Sequence, residues 1–304
     1  MTGFTADNVP DQSGRTFIVT GANTGIGFQV ARRLAQKRAR VLLACRSEGR
    51  AQAAMAAIRR DVAEADLAFL PLDQSDLASV RRAVQLAGDE PRIDVLINNA
   101  GVMMPPLTRT SDGFELQFGV NHLATFALTG LLLPKLAETQ GARVVVTSSL
   151  AHRSGEIPWD DLAAEAGYSR VARYAASKLA NLLFFIELDR RLRAAGSPVQ
   201  ALGCHPGIAS TDLQRHLGLL AFLQPLFRPL LGTADNGAWP ALQAATDPNA
   251  KGGAYFGPQG KGERRGPSGP APFRSPAASD PAIARRLWDV SVTMTGVDPG
   301  LPAA

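Results

Sequence analysis

The sequence predicts an α/β fold, a doubly wound parallel sheet of about seven strands with helices on both faces, formed by a single domain over residues 1–304. Short apolar runs of β type alternate with longer helical patterns, and this alternation indicates parallel strands joined by right-handed crossovers. A composition that is 45% hydrophobic supplies enough apolar side chains for one large core. Strands are predicted near residues 16–20, 40–45, 67–72, 93–97, 143–148, 199–204 and 254–256.

A glycine-rich turn follows the first predicted strand. It reads Gly21-Ala22-Asn23-Thr24-Gly25-Ile26-Gly27 and continues as a helical pattern to about Lys37. Glycines allow a backbone to approach a pyrophosphate, and a helix N-terminus offers free N–H groups and the positive end of its dipole. This context predicts a dinucleotide site, although the spacing is G-x3-G-x-G and not the commoner G-x-G-x-x-G. The alternative is a tight turn that requires glycine for backbone reasons alone.

The second predicted strand ends at Cys45-Arg46-Ser47, where a dinucleotide enzyme reads the adenosine ribose. An acidic residue there would bind the 2′-hydroxyl and repel a 2′-phosphate, but the sequence has none. The Arg46 guanidinium can form a fork onto a phosphate, and Ser47 can add a hydroxyl. We therefore expect NADP(H) rather than NAD(H), with a solvated surface arginine as the alternative.

A tyrosine and a lysine lie one helical turn apart in Tyr174-Ala175-Ala176-Ser177-Lys178. Residues four apart share a helix face, so the Lys178 ammonium lies beside the Tyr174 phenol. An ammonium favours the phenolate and lowers the pKa of the phenol from its ordinary value of ~10. This pair predicts an acid–base group, although such a spacing also arises by chance.

The motifs together resemble the short-chain dehydrogenase/reductase family over residues 15–297, which implies a Rossmann-like fold. The resemblance implies that the turn 21–27 holds cofactor, that Asp73 holds the adenine, and that Asn98-Asn99-Ala100-Gly101 lies along the adenosine ribose. It implies a segment, His205-Pro206-Gly207-Ile208 with Thr211, that closes over the nicotinamide. The implied cofactor-binding residues are Gly21, Asn23, Thr24, Gly25, Ile26, Gly27, Arg46, Ser47, Asp73, Asn99, Ala100, Gly101, Tyr174, Lys178, Pro206, Gly207, Ile208 and Thr211.

The same resemblance implies four catalytic residues, Asn121, Ser149, Tyr174 and Lys178. Tyr174 would exchange a proton with the substrate oxygen during hydride transfer, and Ser149 would donate a hydrogen bond to that oxygen. Lys178 would tune Tyr174 and hold the nicotinamide ribose. Asn121 would position a water that connects Lys178 to solvent.

Within the family, the details are similar to the retinol dehydrogenase branch and its bacterial relatives. Ala44-Cys45-Arg46, Ser148-Ser149-Leu150-Ala151-His152 and the gap of 25 residues between Ser149 and Tyr174 fit that branch. Ala175 and Ala176 depart from it, because relatives often have larger or polar residues beside the tyrosine. The N-terminus lacks the hydrophobic anchor of many animal members, so the resemblance does not identify the substrate.

The predicted enzyme is an NADP(H)-dependent alcohol dehydrogenase or carbonyl reductase. A non-catalytic dinucleotide sensor or scaffold on the same fold is the alternative, because a fold alone does not establish chemistry. Such proteins usually lose the tyrosine or the lysine. An epimerase or dehydratase would share the YxxxK motif but not the glycine turn and the NNAG motif found here.

The composition indicates in which cell compartment the protein works and which kinds of partner it does not bind. The net charge of +5 is spread over many helices, which indicates solvated helix faces and no nucleic-acid stripe. Two cysteines, Cys45 and Cys204, end predicted strands and suggest buried thiols in a reducing cytoplasm. The four histidines lack metal-ligand spacing, which predicts no metal site. Residues 1–8 lack the basic and apolar pattern of a signal peptide.

The second half of the chain leaves three questions open. Helix 171–194 has apolar residues on two faces, and the second face meets either a second subunit or a local loop. Residues 217–231 are strongly apolar but too short and too proline-rich to span a bilayer, and they form a core helix or part of a substrate lid over about 209–235. A lid of this kind favours a lipophilic substrate. Residues 257–304 are expected to be largely irregular apart from a short helix over 283–290.

Overall fold

The structure is a computed structural model that describes residues 3–208, 232–273 and 275–303. These residues form one α/β unit around a single sheet, which confirms the predicted fold class. The strand order is β3-β2-β1-β4-β5-β6-β7-β8, and every neighbouring pair is parallel except β7 with β8. The strands are β1 (Thr16–Thr20), β2 (Arg40–Cys45), β3 (Leu67–Pro71), β4 (Val95–Asn98), β5 (Arg143–Thr147), β6 (Gln200–Cys204), β7 (Tyr255–Pro258) and β8 (Ser268–Pro270).

Seven longer helices connect and cover the strands in the described part of the chain. Ser47 and Asp76 cap α2 and α3 by accepting hydrogen bonds from backbone N–H groups of the first turn. Such caps satisfy donors that a helix leaves unpaired at its start. The helices are α1 (Gly25–Gln36), α2 (Glu48–Asp61), α3 (Leu77–Gly88), α4 (Leu116–Ala137), α5 (Arg170–Ala194), α6 (Ala234–Thr246) and α7 (Pro281–Thr295).

The core lies in two layers, one on each face of the sheet. In β1, Phe17 and Val19 join one buried cluster, whereas Ile18 joins the other, as the alternation of side chains along a strand requires. Helices α1, α2 and α6 cover the first face, and α3, α4, α5 and α7 cover the second. The carboxyl ends of the parallel strands therefore meet at one edge, where ligands bind in folds of this type.

The C-terminal helix α7 packs on the outer side of α4 and α5. The Trp288 ring lies 5.1 Å from the Phe126 ring, edge to face, and 6.1 Å from the Phe184 ring. A Cβ on Gly130 in α4 would lie 3.1 Å from Val297, just beyond α7. The C-terminal helix α7 of the same chain, which is neither a second subunit nor a local loop, therefore packs on α5 at Phe184.

The C-terminal region is more regular than the sequence suggested. Helix α7 begins at the Asp280 cap, continues through Pro281, and ends at Gly296 in the left-handed conformation at φ +62°. It is thus longer than the predicted 283–290, and β8 adds an antiparallel edge strand that the sequence analysis missed. Most of the predicted lid 209–235, and all of the apolar segment 217–231, lie outside the described residues.

Helix α4 is the one described helix with the length and composition to cross a membrane. It has 22 residues, but 89% of its most apolar window is buried inside the protein. A core helix of a soluble protein passes the same test, so this feature gives weak support to membrane insertion.

Candidate active site

The turn after β1 forms a closely packed glycine cradle at the start of α1. Gly21 and Gly25 adopt left-handed conformations at φ +68° and +58°. A Cβ on Gly27 would lie 2.4 Å from the Gly21 carbonyl oxygen and 2.6 Å from Asn99 Nδ2, so a side chain would fill this space. The hydroxyl of the N-cap residue Thr24 makes no cap hydrogen bond with any described residue. A helix start of this shape fits the phosphates of a dinucleotide.

Thr20, the last residue of β1, joins the glycine cradle to the end of β4. Its Oγ1 accepts hydrogen bonds from the backbone N–H groups of Asn99 at 3.0 Å and Ala100 at 2.9 Å. Asn99 Nδ2 donates in return to the Thr20 carbonyl at 3.0 Å. These bonds fix the predicted ribose-binding segment against the cradle. The sequence places Thr20 at the head of the motif that resembles a cofactor loop, but its contacts with residues 99 and 100 were not predicted.

Arg46 and Asp73 follow neighbouring strands and lie close together. Arg46 Nη1 is 3.9 Å from Asp73 Oδ2, and the Arg46 side chain is 74% exposed. An exposed ion pair this long contributes little, so the guanidinium retains the capacity to bind another anion. Asp73 Oδ1 also accepts hydrogen bonds from the hydroxyl and N–H of Ser75 at 2.6 and 2.9 Å. Ser47 uses its hydroxyl to cap α2.

Asn121 is fully buried in a π-helical turn, Gly119–Leu123, inside α4. Its Oδ1 accepts the Val102 N–H at 2.7 Å, and its Nδ2 donates to the Val102 carbonyl and to Ser177 Oγ, both at 2.9 Å. A Cβ on Gly101 would lie 3.0 Å from Asn121 Oδ1 and 3.4 Å from Lys178 Nζ. Glycine at this position therefore leaves space beside both polar atoms.

Ser149 lies just beyond β5 and begins the 3₁₀ turn Leu150–Ser154. Its Oγ accepts the Ala151 N–H at 3.2 Å, which uses a lone pair and not the hydroxyl hydrogen. The Ser149 carbonyl accepts from the His152 N–H at 3.1 Å and lies 2.5 Å from His152 Nδ1. The turn therefore orients Ser149 and leaves its O–H group to donate elsewhere.

Tyr174 and Lys178 share one face of α5, as their spacing predicts. Lys178 Nζ is 5.9 Å from the centre of the Tyr174 ring and donates to the Thr147 carbonyl at 3.3 Å. Lys178 is 5% exposed, whereas Tyr174 is partly exposed. The Lys178 ammonium is therefore buried, and it lies beside the Tyr174 phenol, which is partly exposed to solvent.

Ser148 and Gly155 hold the Ser149 turn against α5. Ser148 Oγ donates to the Lys178 carbonyl at 2.7 Å. A Cβ on Gly155 would lie 2.5 Å from the Ala175 carbonyl oxygen, so the turn touches the α5 backbone directly after Tyr174. Ala175 is itself buried.

The segment after β6 holds three of the predicted nicotinamide-binding residues, Pro206, Gly207 and Ile208. Gly207 is left-handed at φ +73°, and its Cβ would lie 2.4 Å from the Arg264 carbonyl oxygen. Ile208 N–H donates to that same oxygen at 2.9 Å. This segment is therefore fixed against residues 263–264, whereas Thr211 lies outside the described residues.

His122, Cys45 and Cys204 are buried and are not among the predicted reactive groups. Burial lowers the pKa of His122 to about 3, and burial raises the pKa of Cys45 to about 11 and of Cys204 to about 12. Both thiols are therefore protonated at neutral pH, as expected for buried cysteines. Among the described residues, no group of three His, Cys, Asp or Glu side chains could hold a metal.

The glycine cradle, the strand-end polar groups and the tyrosine–lysine helix all lie at the carboxyl edge of a doubly wound sheet. Together they define a dinucleotide-binding oxidoreductase. Residues 15–219 match the family model described as short chain dehydrogenase, and the chain belongs to that family.

Relatives and solved structures agree with this assignment. Human retinol dehydrogenase 12 is 42% identical over 287 residues, which cover 93% of this chain and 87% of the relative. An uncharacterized protein of Mycobacterium paratuberculosis superimposes with a TM-score of 0.81 at 41% identity, covering 98% of this chain and 99% of that one. A blue fluorescent protein from a metagenomic library, solved with NADPH, gives a TM-score of 0.63 at 27% identity, covering 80% of this chain and 95% of that one.

Proposed function

We propose that the protein is an NADP(H)-dependent oxidoreductase that interconverts an alcohol and a carbonyl compound, with Tyr174 as general acid and base. The observation that carries this proposal is the buried Lys178 ammonium, 5.9 Å from the centre of the Tyr174 ring. A cation in a poorly solvated place stabilises the phenolate strongly, which makes proton exchange by the tyrosine easier.

Each catalytic side chain has a distinct part. In reduction the Tyr174 hydroxyl gives its proton to the substrate oxygen, and in oxidation the phenolate takes it back. Ser149 Oγ donates a hydrogen bond to the same oxygen and stabilises the charge that develops there. Lys178 holds the phenolate and the ribose hydroxyls of the nicotinamide half. The bound nicotinamide supplies or accepts the hydride.

Asn121 is proposed to place a water that links Lys178 to solvent. The Asn121 amide bonds to Val102 and Ser177, which leaves a second lone pair on Oδ1 as an acceptor for water. The space left by Gly101 lies beside both Asn121 Oδ1 and Lys178 Nζ. This space is the basis for the proposed water position.

The preference for NADP(H) rests on Arg46 and Ser47. The Arg46 guanidinium is exposed at the end of β2 and only loosely paired with Asp73, so it can bind a 2′-phosphate. The NADPH bound by the metagenomic relative supports the same choice.

We infer a lipophilic alcohol or carbonyl substrate because the chain is similar to retinol dehydrogenases over most of its length. The apolar segment 217–231 gave the same expectation from sequence. We also propose that the protein is cytoplasmic, that it binds no nucleic acid and does not insert stably into a membrane, and that it can form a homo-oligomer.

The test is a screen of NADPH oxidation by the purified protein over ketones, aldehydes, quinones and retinoids, with the reverse reaction followed for the matching alcohols. We expect turnover with at least one apolar carbonyl and much weaker turnover with NADH. Tight NADPH binding with no turnover across the whole panel would instead favour a dinucleotide sensor.

A further inference from the structure

Glu263 bridges two segments of the candidate site that are far apart in sequence. Its Oε1 lies 2.8 Å from Arg153 Nη2, and its Oε2 lies 3.1 Å from His205 Nε2. The Glu263 side chain is 12% exposed, and His205 is completely buried. A carboxylate in such surroundings interacts more strongly with its partners than a surface ion pair does.

The hydrogen bonds around His205 determine where its proton lies. Gly207 N–H donates to His205 Nδ1 at 3.2 Å, so Nδ1 must be the unprotonated nitrogen. The proton is therefore on Nε2, which donates to Glu263 Oε2. Burial lowers the pKa of His205 to about 4, so the ring is neutral at pH 7 and Arg153 supplies the positive charge opposite the carboxylate.

Both partners of Glu263 belong to segments that carry site residues. Arg153 lies in the 3₁₀ turn that Ser149 begins, and His205 precedes the segment Pro206–Ile208. The backbone next to Glu263 also contributes, because the Arg264 carbonyl accepts the Ile208 N–H at 2.9 Å. Glu263 has a left-handed backbone at φ +58°, a conformation that is unfavourable for a non-glycine residue. Specific contacts must offset that cost.

We propose that Glu263 is a positioning residue of the active site, which fixes the Ser149 turn relative to the segment that holds the nicotinamide. The inference rests on the proposed function. Through Arg153 the carboxylate sets the position of the serine turn, and through His205 it sets the position of Gly207 and Ile208. Glu263 thereby adds a direct link between the two segments whose spacing sets the distance from the serine hydroxyl to the reacting carbon of the cofactor, and misplacement of reacting groups by about 1 Å can cost about a hundredfold in rate.

Glu263→Gln tests this with almost no change of shape. A glutamine amide has one acceptor oxygen and one NH₂ group and no charge, so it cannot accept the His205 Nε2–H and also present an anionic oxygen to the Arg153 guanidinium. We expect kcat to fall about tenfold or more, while the Kd of NADPH, measured by fluorescence titration, changes less than about threefold, because most of the proposed cofactor-binding residues follow β1, β2 and β4. We also expect the emission of bound NADPH to lose part of its enhancement, since that emission reports on how the nicotinamide ring is enclosed.

A matched control is Glu90→Gln at the opposite edge of the sheet. Glu90 is also 12% exposed in its side chain and forms two hydrogen bonds with Arg40, at 2.7 and 2.8 Å. Its substitution should lower the midpoint of urea unfolding without changing kcat, bound-NADPH emission or the deuterium isotope effect with 4-deuterated NADPH. Glu263→Gln should raise that isotope effect, because a poorly aligned hydride transfer limits the rate more strongly.

Three outcomes separate the two proposals. If the wild-type protein reduces no carbonyl in the screen, the proposed function fails, and bound-NADPH emission alone then decides the role of Glu263. If the wild type is active and Glu263→Gln matches Glu90→Gln in kcat, emission and isotope effect, Glu263 is only a stabilising contact and the inference is wrong. Arg153→Lys, which keeps the positive charge, should retain more activity than Arg153→Ala, and equal losses would also contradict the inference.

Discussion

Asn121 Nδ2 donates a hydrogen bond to Ser177 Oγ over 2.9 Å, and this contact joins the π turn of α4 to the helix that carries Tyr174 and Lys178. Both side chains are fully buried. Ser177 Oγ donates in turn to the Tyr174 carbonyl at 2.8 Å, which places the serine between the amide and the backbone of the tyrosine. The site is thus assembled from buried polar contacts that depend on one another.

The first prediction concerns that serine. Ser177→Ala leaves a donor on Asn121 without its acceptor, and an unsatisfied buried donor costs about 1–3 kcal/mol. We expect a loss of unfolding free energy in that range in urea denaturation, together with a several-fold lower kcat. Ser154→Ala, which removes an exposed hydroxyl that donates to Ala151, is the control and should leave both quantities nearly unchanged. Equal effects of the two substitutions would argue against a special role of the contact.

Tyr174→Phe should abolish carbonyl reduction while NADPH still binds. General acid catalysis contributes about 10²–10⁴-fold, so kcat should fall at least a hundredfold. Steady-state NADPH oxidation and fluorescence titration measure the two effects separately. Tyr168→Phe removes a phenol that donates to the Pro105 carbonyl and should retain most of the activity. Substantial turnover in Tyr174→Phe would refute the assigned acid.

Arg46→Ala should weaken NADPH binding far more than NADH binding. A hydrogen bond to a charged group is worth about 1.5–3 kcal/mol, which corresponds to a tenfold to hundredfold increase in the Kd of NADPH. Titration with each cofactor supplies the comparison. Arg50→Ala changes the same charge on the exposed face of α2 and serves as the control. Parallel losses for NADPH and NADH would show that the 2′-phosphate role is wrong.

Gly27→Ala should severely reduce cofactor binding, because its methyl group would enter the glycine cradle within 2.4 Å of the Gly21 carbonyl oxygen. Gly49→Ala is a matched helical substitution, since its Cβ would meet no described atom within 4 Å. Alanine at position 49 should stabilise α2 by about 0.5–1 kcal/mol. Isothermal titration with NADPH and thermal unfolding distinguish the two variants, and tight NADPH binding by Gly27→Ala would contradict the cradle.

Stability should fall as the pH is lowered from 7 to 5. Burial lowers the folded-state pKa of His122 to about 3 and of His205 to about 4, so only the unfolded chain takes up these protons near its pKa of 6.5. The contribution of these neutral histidines to the free energy of unfolding is therefore fully present above pH 6.5, and it declines as the pH falls through the window from 6.5 to about 4. Between pH 7 and pH 5, each histidine should lower the free energy of unfolding by about 2 kcal/mol.

Urea unfolding at several pH values measures this dependence. In the middle of the window, His122→Asn should reduce the slope of unfolding free energy against pH by about 1.4 kcal/mol per pH unit. This corresponds to about one proton fewer taken up on unfolding. A slope equal to that of the wild type would show that His122 is not kept neutral by folding.

The sequence predicted the sheet, and the shared helix face of Tyr174 and Lys178, because these depend on local patterns. Alternating apolar runs determine the strands, and the four-residue spacing of Tyr174 and Lys178 determines that they share a helix face. The glycine turn was recognisable for the same reason, since its spacing reflects a backbone requirement at one place in the chain. The fold and the family assignment were therefore predictable, whereas the individual site roles stay predictions.

Contacts between distant segments were not predictable in this way. Thr20 contacts residues 99 and 100, and Glu263 contacts residues 153 and 205. These residues are far apart in the sequence, so their contacts produce no periodic pattern in it. Strand β8 was missed because its sequence, Ser268-Gly269-Pro270, lacks β-forming side chains and pairs with β7 at the sheet edge. The predicted helix 283–290 was too short, although Asp280-Pro281 is a usual helix start and Gly296 a usual helix end in sequence.

The position of α7 has a practical consequence for handling the protein. Removal of residues 281–303 would leave Phe126 and Phe184 in water, and a newly wetted aromatic surface promotes precipitation and aggregation. Expression vectors should therefore keep this helix intact and place any affinity tag or fusion partner after it.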